Sequence, residues 1–208
     1  MIIKGLTVGP IMANCYILGC KDTSEAVVID PGDDTDKILL SLAESKLKLI
    51  HIINTHGHFD HVGGNKKLKD ATGASIMIHS LDAYMLDQTA EHAYAWGLSA
   101  ENSGPPDRTL KDGDTVSFGK ITLNIIHTPG HSKGGISIYT KGHVFVGDTL
   151  FAGSIGRTDI PEGDYETLIS SIKTKLFALD DDVKVYPGHM GTTTIKQEKR
   201  FNPFCGIL

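Results

Sequence analysis

The chain has 208 residues, 40% of them apolar, and a formal net charge of -5. That length and apolar content are enough for a sizeable core and exclude a disordered, collagenous or coiled-coil chain. The negative balance offers no attraction to a polyanion, which speaks against nucleic acid as a partner.

The first third reads as strands: Ile2 to Val8, Asn14 to Gly19 and Glu25 to Asp30. The opening Met-Ile-Ile-Lys-Gly-Leu has no long apolar run behind a basic start. No later stretch approaches about 18 apolar residues, so neither a signal peptide nor a membrane span is expected, and a cytoplasmic location is. Cys15 and Cys20 lie five apart along the second strand and so point to opposite faces. With Cys205 they make an odd, scattered set that is a poor disulfide framework; all three read as ordinary thiols, Cys205 as an exposed one. Pro31-Gly32-Asp33-Asp34 is a turn, and Ile38, Leu39, Leu42 and Ala43 give helical spacing over Thr35 to Ala43. Leu47 to Ile53 is a dense apolar run, the pattern of a strand buried on both faces. Gly63-Gly64 precedes a helical stretch to about Asp70, and Ser75 to His79 is a short strand.

Residues 88–108 have weak periodicity and read as a loop-like insertion or lid carrying Tyr94 and Trp96. These two aromatics suit either an entrance to a site or the interface of a homo-oligomer. Strands then recur at Thr115 to Phe118, Ile121 to Ile126, Gly135 to Tyr139 and His143 to Val146, with Asp112-Gly113 and Lys141-Gly142 as turns. Tyr165 to Leu179 reads as a helix, Val183 to Val185 as the last strand and Thr193 to Arg200 as the last helix. Two strand-rich halves, each followed by helices, predict two sheets covered by helices on both sides.

His56, His58, Asp60 and His61 fall within six residues, immediately after a buried strand. Three of the chain's ten histidines sit there with a carboxylate among them, and imidazole and carboxylate are the ligands preferred by zinc, iron and manganese. A continuing strand would send positions 56, 58 and 60 to one side. Gly57 permits a tight bend, and Gly63-Gly64 lets backbone approach closely. More ligand types follow other apolar strands: His127-Thr-Pro-Gly-His131, Gly147-Asp148-Thr149 and Pro187-Gly188-His189. His51, His79, His92 and His143 have structural readings, and His127 reads as a packed or ligand-orienting residue.

Together with Asn14-Cys-Tyr-Ile-Leu18 and Thr192-Thr193, these motifs in this order resemble the metallo-β-lactamase superfamily. Within it the chain is similar to the short, glyoxalase II-like hydroxyacylglutathione hydrolases. The resemblance implies an α/β fold, a four-layer αββα sandwich, with residues 1–208 as one domain. It implies that His56, His58 and His131 hold one metal, that Asp60, His61 and His189 hold a second, and that Asp148 bridges them. Two divalent ions are expected, zinc first, with iron or manganese as alternatives. Asp148 stands where true β-lactamases usually place a cysteine, which argues against lactam hydrolysis.

Seven ligands for two metals leave open positions, the mark of a catalytic centre. A metal-bound hydroxide is the expected nucleophile, with Asp60 both a ligand and a catalytic residue that orients the water. The expected substrate is a small-molecule thioester such as S-lactoylglutathione. Full-length glyoxalase II enzymes place a Lys and a Tyr after the Gly-Asp-Thr motif; here the stretch is Gly156-Arg157-Thr158-Asp159. The sequence ends at Leu208, before the helical glutathione-binding domain those enzymes carry. Arg157 and Lys133 are candidate contacts for an acidic substrate, Arg157 alternatively pairing with Asp159 or Asp164. Persulfide dioxygenases share the fold and the Gly-Arg-Thr-Asp stretch; one iron on the residues matching His56, His131 and Asp148 is the competing reading. Lactonase, phosphodiesterase, RNA-processing nuclease and a non-catalytic metal-binding module are weaker alternatives.

Overall fold

Strands that are apolar on both faces need cover on both sides, and side-chain alternation decides which layer each residue joins. The computed structural model describes residues 1–206; Ile207 and Leu208, the end of the expected 1–208 domain, lie outside the described residues. One six-stranded sheet runs in the order β1 (Ile2–Val8), β2 (Ala13–Gly19), β3 (Glu25–Ile29), β4 (Lys48–Ile53), β5 (Ser75–His79), β6 (Arg108–Leu110). Its first three strands are antiparallel and the rest parallel. The other six-stranded sheet is built from β7 (Thr115–Phe118), β8 (Ile121–His127), β9 (Ile136–Thr140), β10 (His143–Gly147), β13 (Lys184–Pro187) and β14 (Thr193–Thr194). A small hairpin of β11 (Leu150–Phe151) and β12 (Ser154–Ile155) stands between β10 and β13 in sequence.

Alternation produces the four layers. In β2, Tyr16 and Leu18 face the second sheet while Cys15 and Ile17 face the helices; in β3, Val27 and Ile29 oppose Ala26 and Val28 in the same way. The outer side of the first sheet packs on Ile38 and Leu42 of α1 (Thr35–Glu44) and Leu68 of α3 (Asn65–Thr72). In β10, Phe145 joins the inter-sheet layer. Val144 and Val146 face outward, onto Leu168 of α5 (Tyr165–Ser171), the π-helical turn Ile172–Leu176 and Ile195 of α6 (Ile195–Phe201). The expected αββα sandwich is therefore the observed one. Caps come from the residues that suit the role: Asp164 accepts from Thr167 N at 2.7 Å and Thr194 from Gln197 N at 3.2 Å.

Three expectations are corrected. The 88–108 segment is not loop throughout: a 3-10 turn (Ala83–Asp87) leads into α4 (Thr89–Ala95), and β6 begins at Arg108. Ala and Glu carry this helix by propensity. Its periodicity is weak because it buries little, chiefly Thr89 and Ala93, and leaves Tyr94 82% and Trp96 63% exposed. Gly97, at φ 71°, ends it. Cys205 is buried, not exposed, because Asn202 Oδ1 accepts from the Phe204 and Cys205 amides and folds the thiol under the outer layer of the second sheet. The α5 helix stops at Ser171 and widens into the π turn before Leu179. Cys15 and Cys20 do face opposite layers, and the described residues include no helix long and apolar enough to cross a membrane.

Phe145 is the largest test of the layer between the sheets. It is fully buried, edge-on to Tyr16 at 5.2 Å and stacked on Tyr186 at 4.7 Å. Phe145→Ala is expected to lower unfolding stability by about 3–5 kcal/mol, read as a reduced urea midpoint at unchanged slope. A loss below about 1 kcal/mol, the size of an ordinary surface change, would contradict that role.

Candidate metal centre

The ligand-bearing segments all leave strands at the same edge of the sandwich, where open sheets of this kind place function. β4 runs into Asn54 to His58, β10 into Asp148, and β13 into Gly188-His189; His131 follows β8 after a Thr-Pro-Gly turn. The strand itself does not continue through the histidine cluster, as alternation had suggested. β4 ends at Ile53, ahead of the cluster, His58 is the N-cap residue of a short helix α2 (Phe59–Val62), and Asp60 and His61 lie in that turn. Gly63 and Gly64 leave it: a Cβ at Gly63 would meet the Gly32 carbonyl at 2.6 Å, so the close backbone approach expected of this pair is real.

The structure brings His56, His58, Asp60, His61, His131, Asp148 and His189 together. His58 Nδ1 lies 2.9 Å from His131 Nε2, and the His56 ring stands edge-on to both. On the other side His61 Nε2 is 3.3 Å from His189 Nε2, and Asp60 Oδ2 is 3.5 and 3.3 Å from those two nitrogens. Asp148 stands between the groups: Oδ1 is 3.5 Å from His61, and Oδ2 is 3.5 Å from His189 and 3.7 Å from His131. Donors about 2.0–2.1 Å from a tetrahedral ion are about 3.3 Å apart, so these separations fit ligand atoms sharing a cation. His56, His58 and His131 make one such group and Asp60, His61 and His189 another.

Buried atoms without partners point the same way. His56 Nε2 and Asp148 Oδ1 have no hydrogen-bond partner, a costly state for buried polar atoms that a bound cation would relieve. Burial, then the neighbouring imidazoles, pushes His56 well down and His58 down to about 3, keeping both in the neutral form a metal needs. Burial opposes charge on His61 as well, but Asp148, Asp60 and Asp30 outweigh it and push that imidazole up. Burial likewise works against an ionised Asp60, yet the imidazoles of His61, His189 and His58 hold it below the usual carboxylate range. The carboxylates thus call for positive charge at the centre.

Sequence reasoning missed the groups that aim these ligands. Asp30 is buried at the end of β3; Oδ1 accepts from Thr55 N at 2.7 Å and Oδ2 from Thr55 Oγ1 at 2.6 Å and His61 Nδ1 at 3.1 Å. Thr55 Oγ1 in turn meets His56 Nδ1 at 3.0 Å. The Arg157 carbonyl accepts from His131 Nδ1 at 2.8 Å. His56, His61 and His131 therefore turn Nε2 to the centre, as orienting partners of metal-ligating histidines do, whereas His58 turns Nδ1 to it. Asp82 joins two ligand loops: it accepts from Gly57 N, Ser132 Oγ and Gly134 N at 3.1, 2.7 and 2.5 Å. The signal for Asp30 was its place at an apolar strand end before Pro-Gly, the setting of the other ligands; Asp82 had no comparable signal.

The side chains of Arg157 and Lys133 do not join this cluster through any hydrogen bond. The Arg157 guanidinium pairs with Asp159 at 2.9 and 3.1 Å, and Lys133 Nζ with Glu162 at 2.9 Å. His127 gives its ring to the Lys133 carbonyl and stacks on His79 at 4.2 Å. His51 and His143 bond to Ser75 and Tyr186.

Residues 8–189 match the family model described as the Metallo-beta-lactamase superfamily. The chain is similar to the hydroxyacylglutathione hydrolase GloC of Haemophilus influenzae, 40% identical over 98% of each chain. Among solved structures it is similar to the BLEG-1 B3 metallo-beta-lactamase, with a TM-score of 0.92 and 35% identity over 98% of this chain and 99% of that one. It is also similar to TTHA1623 in a di-iron-bound form, with a TM-score of 0.89 and 37% identity over 97% and 99%.

Asp30→Asn keeps the size of the side chain and removes the charge that holds His61 and Thr55. It is expected to weaken metal affinity about 10–100-fold, measured by competition with a chromophoric chelator. An unchanged affinity would show that the carboxylate does not orient the ligands.

Proposed function

The chain belongs to the metallo-beta-lactamase superfamily and is a metal-dependent hydrolase; we propose that within this class it is a thioesterase of the hydroxyacylglutathione hydrolase kind. The observation that carries the reading is the double cluster around Asp148, with its unpartnered Oδ1 and the unpartnered Nε2 of His56. Its donors suit two divalent ions, zinc foremost, with iron or manganese as alternatives. In this reading His56, His58 and His131 would hold one ion and Asp60, His61 and His189 the other, with Asp148, within 3.5–3.7 Å of His61, His189 and His131, available to both.

Bound divalent ions supply two things: they lower the pKa of water from about 15.7 to about 7, and they polarise a carbonyl oxygen. The chain's own residues do the positioning. Asp30, Thr55 and the Arg157 carbonyl hold three imidazoles in the ligating tautomer. Asp60, with its side chain 17% exposed, lies at the solvent side and orients the attacking water. The water oxygen forms a bond to the thioester carbonyl carbon, the carbon–sulfur bond breaks with its electron pair going to sulfur, and the proton lost by the water is taken up by that sulfur, giving the acid and the thiol. Lys133 stands beside His131 in sequence and Arg157 through its carbonyl, with their charges on an exposed Asp159 and a half-buried Glu162. An acidic thiol carrier can replace those carboxylates, which places the thiol half of the substrate on this side.

The test is a panel of thioesters, lactones, phosphodiesters and a β-lactam, assayed with purified protein of measured metal content. Thioester cleavage with two metals per chain is the expected result. Hydrolysis confined to another class would overturn the thioester assignment, and one iron per chain with oxygen consumption would overturn hydrolysis. His58→Ala and Asp148→Ala are each expected to lower kcat/KM by about 1,000-fold or more, the effect of losing several kcal/mol of metal assistance.

A further inference from the structure

Three of the clustered imidazoles have a partner behind them: Thr55 for His56, Asp30 for His61 and the Arg157 carbonyl for His131. His189 is placed through its loop, which Asn14 holds at the Pro187 and Met190 carbonyls. His58 has no partner behind it; among the described residues its ring meets only the His131 nitrogen at hydrogen-bond distance. It also offers Nδ1, the nitrogen nearer the main chain. A ligand of that short reach is placed by its backbone, so whatever holds the 56–58 loop decides where His58 Nδ1 lies.

Asp82 holds that loop. It is fully buried just after β5. Its Oδ2 accepts from Gly57 N at 3.1 Å and Ser132 Oγ at 2.7 Å, and its Oδ1 from Gly134 N at 2.5 Å. Gly57 lies between His56 and His58, and Ser132 follows His131. One carboxylate at the end of a first-sheet strand thus fastens the loop after β4 to the loop between β8 and β9 of the second sheet. Neither loop has slack: a Cβ at Gly134 would meet Asp82 Cγ at 2.6 Å, and one at Gly57 would meet Met85 Cβ at 2.7 Å. Asp82 is also the N-cap residue of the 3-10 turn Ala83–Asp87, yet its side chain makes no cap hydrogen bond there, the ordinary use of an aspartate at that position.

Three donors converge on Asp82 and it donates none in return. An ionised carboxylate satisfies all three, and an amide does not. With asparagine, an oxygen on the Gly57 side leaves the Gly134 N–H facing an NH2, and an oxygen on the Gly134 side leaves the Gly57 N–H facing it; only Ser132 can turn its hydroxyl to accept. Among the described residues, no hydrogen bond of the Asp82 side chain goes to Asp60, His61 or His189.

We propose that Asp82 is a positioning residue for the His56–His58–His131 half of the centre: by fastening both loops it fixes the 2.9 Å separation of His58 Nδ1 and His131 Nε2 at which one ion takes both. The inference rests on the two-ion reading and makes the two halves separable, since the Asp60–His61–His189 half has its own braces in Asp30 and Asn14.

The probe is cobalt(II), titrated into the full chain against a competing chelator and followed by its visible absorption bands and by cobalt content. His189→Ala isolates the His56–His58–His131 half and His131→Ala the other half, so each single-site protein assigns its own bands. Adding Asp82→Asn is expected to weaken cobalt binding about 10–100-fold in the His189→Ala protein and to shift its bands, as when the partner that orients a ligand is removed. In the His131→Ala protein the same change is expected to leave affinity within about twofold, because the two sets share no partner. Ser132→Ala removes one donor and keeps the carboxylate on Gly57 and Gly134, so it is expected to act in the same direction with a smaller loss. Impaired folding would weaken both halves alike, and the urea midpoint of the metal-free proteins measures it separately. Equal losses in the two single-site proteins, or no loss in the His189→Ala protein, overturns the positioning role and leaves the two-ion reading standing. A His189→Ala protein that takes up no cobalt overturns the proposal. A His131→Ala protein that takes up none overturns the two-ion reading; a weakened and shifted cobalt band in the His189→Ala protein then keeps the role of Asp82, and an unchanged band overturns it too.

Discussion

Asp30 is buried with one oxygen on Thr55 N and the other shared by Thr55 Oγ1 and His61 Nδ1. It holds a left-handed backbone, φ 52°, that a non-glycine residue adopts at a cost of about 1–3 kcal/mol. Hydrogen bonds to a charged group, about 1.5–3 kcal/mol each, offset that strain. The same carboxylate, with Asp60 and Asp148, makes the edge of the sandwich a place where positive charge is required. Asp148, Asp60 and Asp30 raise the affinity of His61 for a proton, while burial and then the neighbouring imidazoles keep His56 and His58 neutral. Cation binding and histidine geometry are therefore coupled through Asp30.

The two sheets must stay in register for the ligands to meet, and several contacts hold them there. Asn14 and Tyr16 on β2 bond the Pro187 carbonyl, and Asn14 also the Met190 carbonyl, which fixes the loop carrying His189. The Ile136 amide donates to the Thr55 carbonyl, joining β9 to the histidine loop. Gly188 donates to the Gly147 carbonyl, and a Cβ at Gly188 would meet His61 Cε1 at 2.7 Å, so no other residue lets His189 and Asp148 come this close. The tertiary role of Asn14-Cys-Tyr is thus to place a ligand at the other end of the chain.

The surroundings of the centre are asymmetric. The Arg157–Asp159 and Lys133–Glu162 ion pairs lie beyond His131, and Asp60 forms part of the wall of a cavity of mixed polarity. Exposed ion pairs contribute about 0–1 kcal/mol, so Arg157 can exchange its partner at little cost, whereas Lys133 neutralises a half-buried Glu162.

Two helix-covered sheets were legible in the sequence because two strand-rich halves are each followed by helices, and the family resemblance implied the αββα order; the structure then assigns alternate residues of β2, β3 and β10 to one face or the other. The cluster of histidines and carboxylates was legible because such residues after successive apolar strands are a compositional signal that survives without coordinates. α4 was not, since a helix that buries little writes no hydrophobic period; nor was the burial of Cys205, which depends on a turn closed by Asn202. Which nitrogen each histidine offers, that Asp30 and Asp82 position the loops, that Arg157 acts on His131 through its carbonyl, and that a cavity opens beside Asp60 were decided by the tertiary structure alone. The physical reason is range: periodicity and strand-end chemistry are properties of neighbouring residues, whereas a ring's orientation or a cavity's shape is set by groups tens of residues away that only folding brings within hydrogen-bond or van der Waals distance.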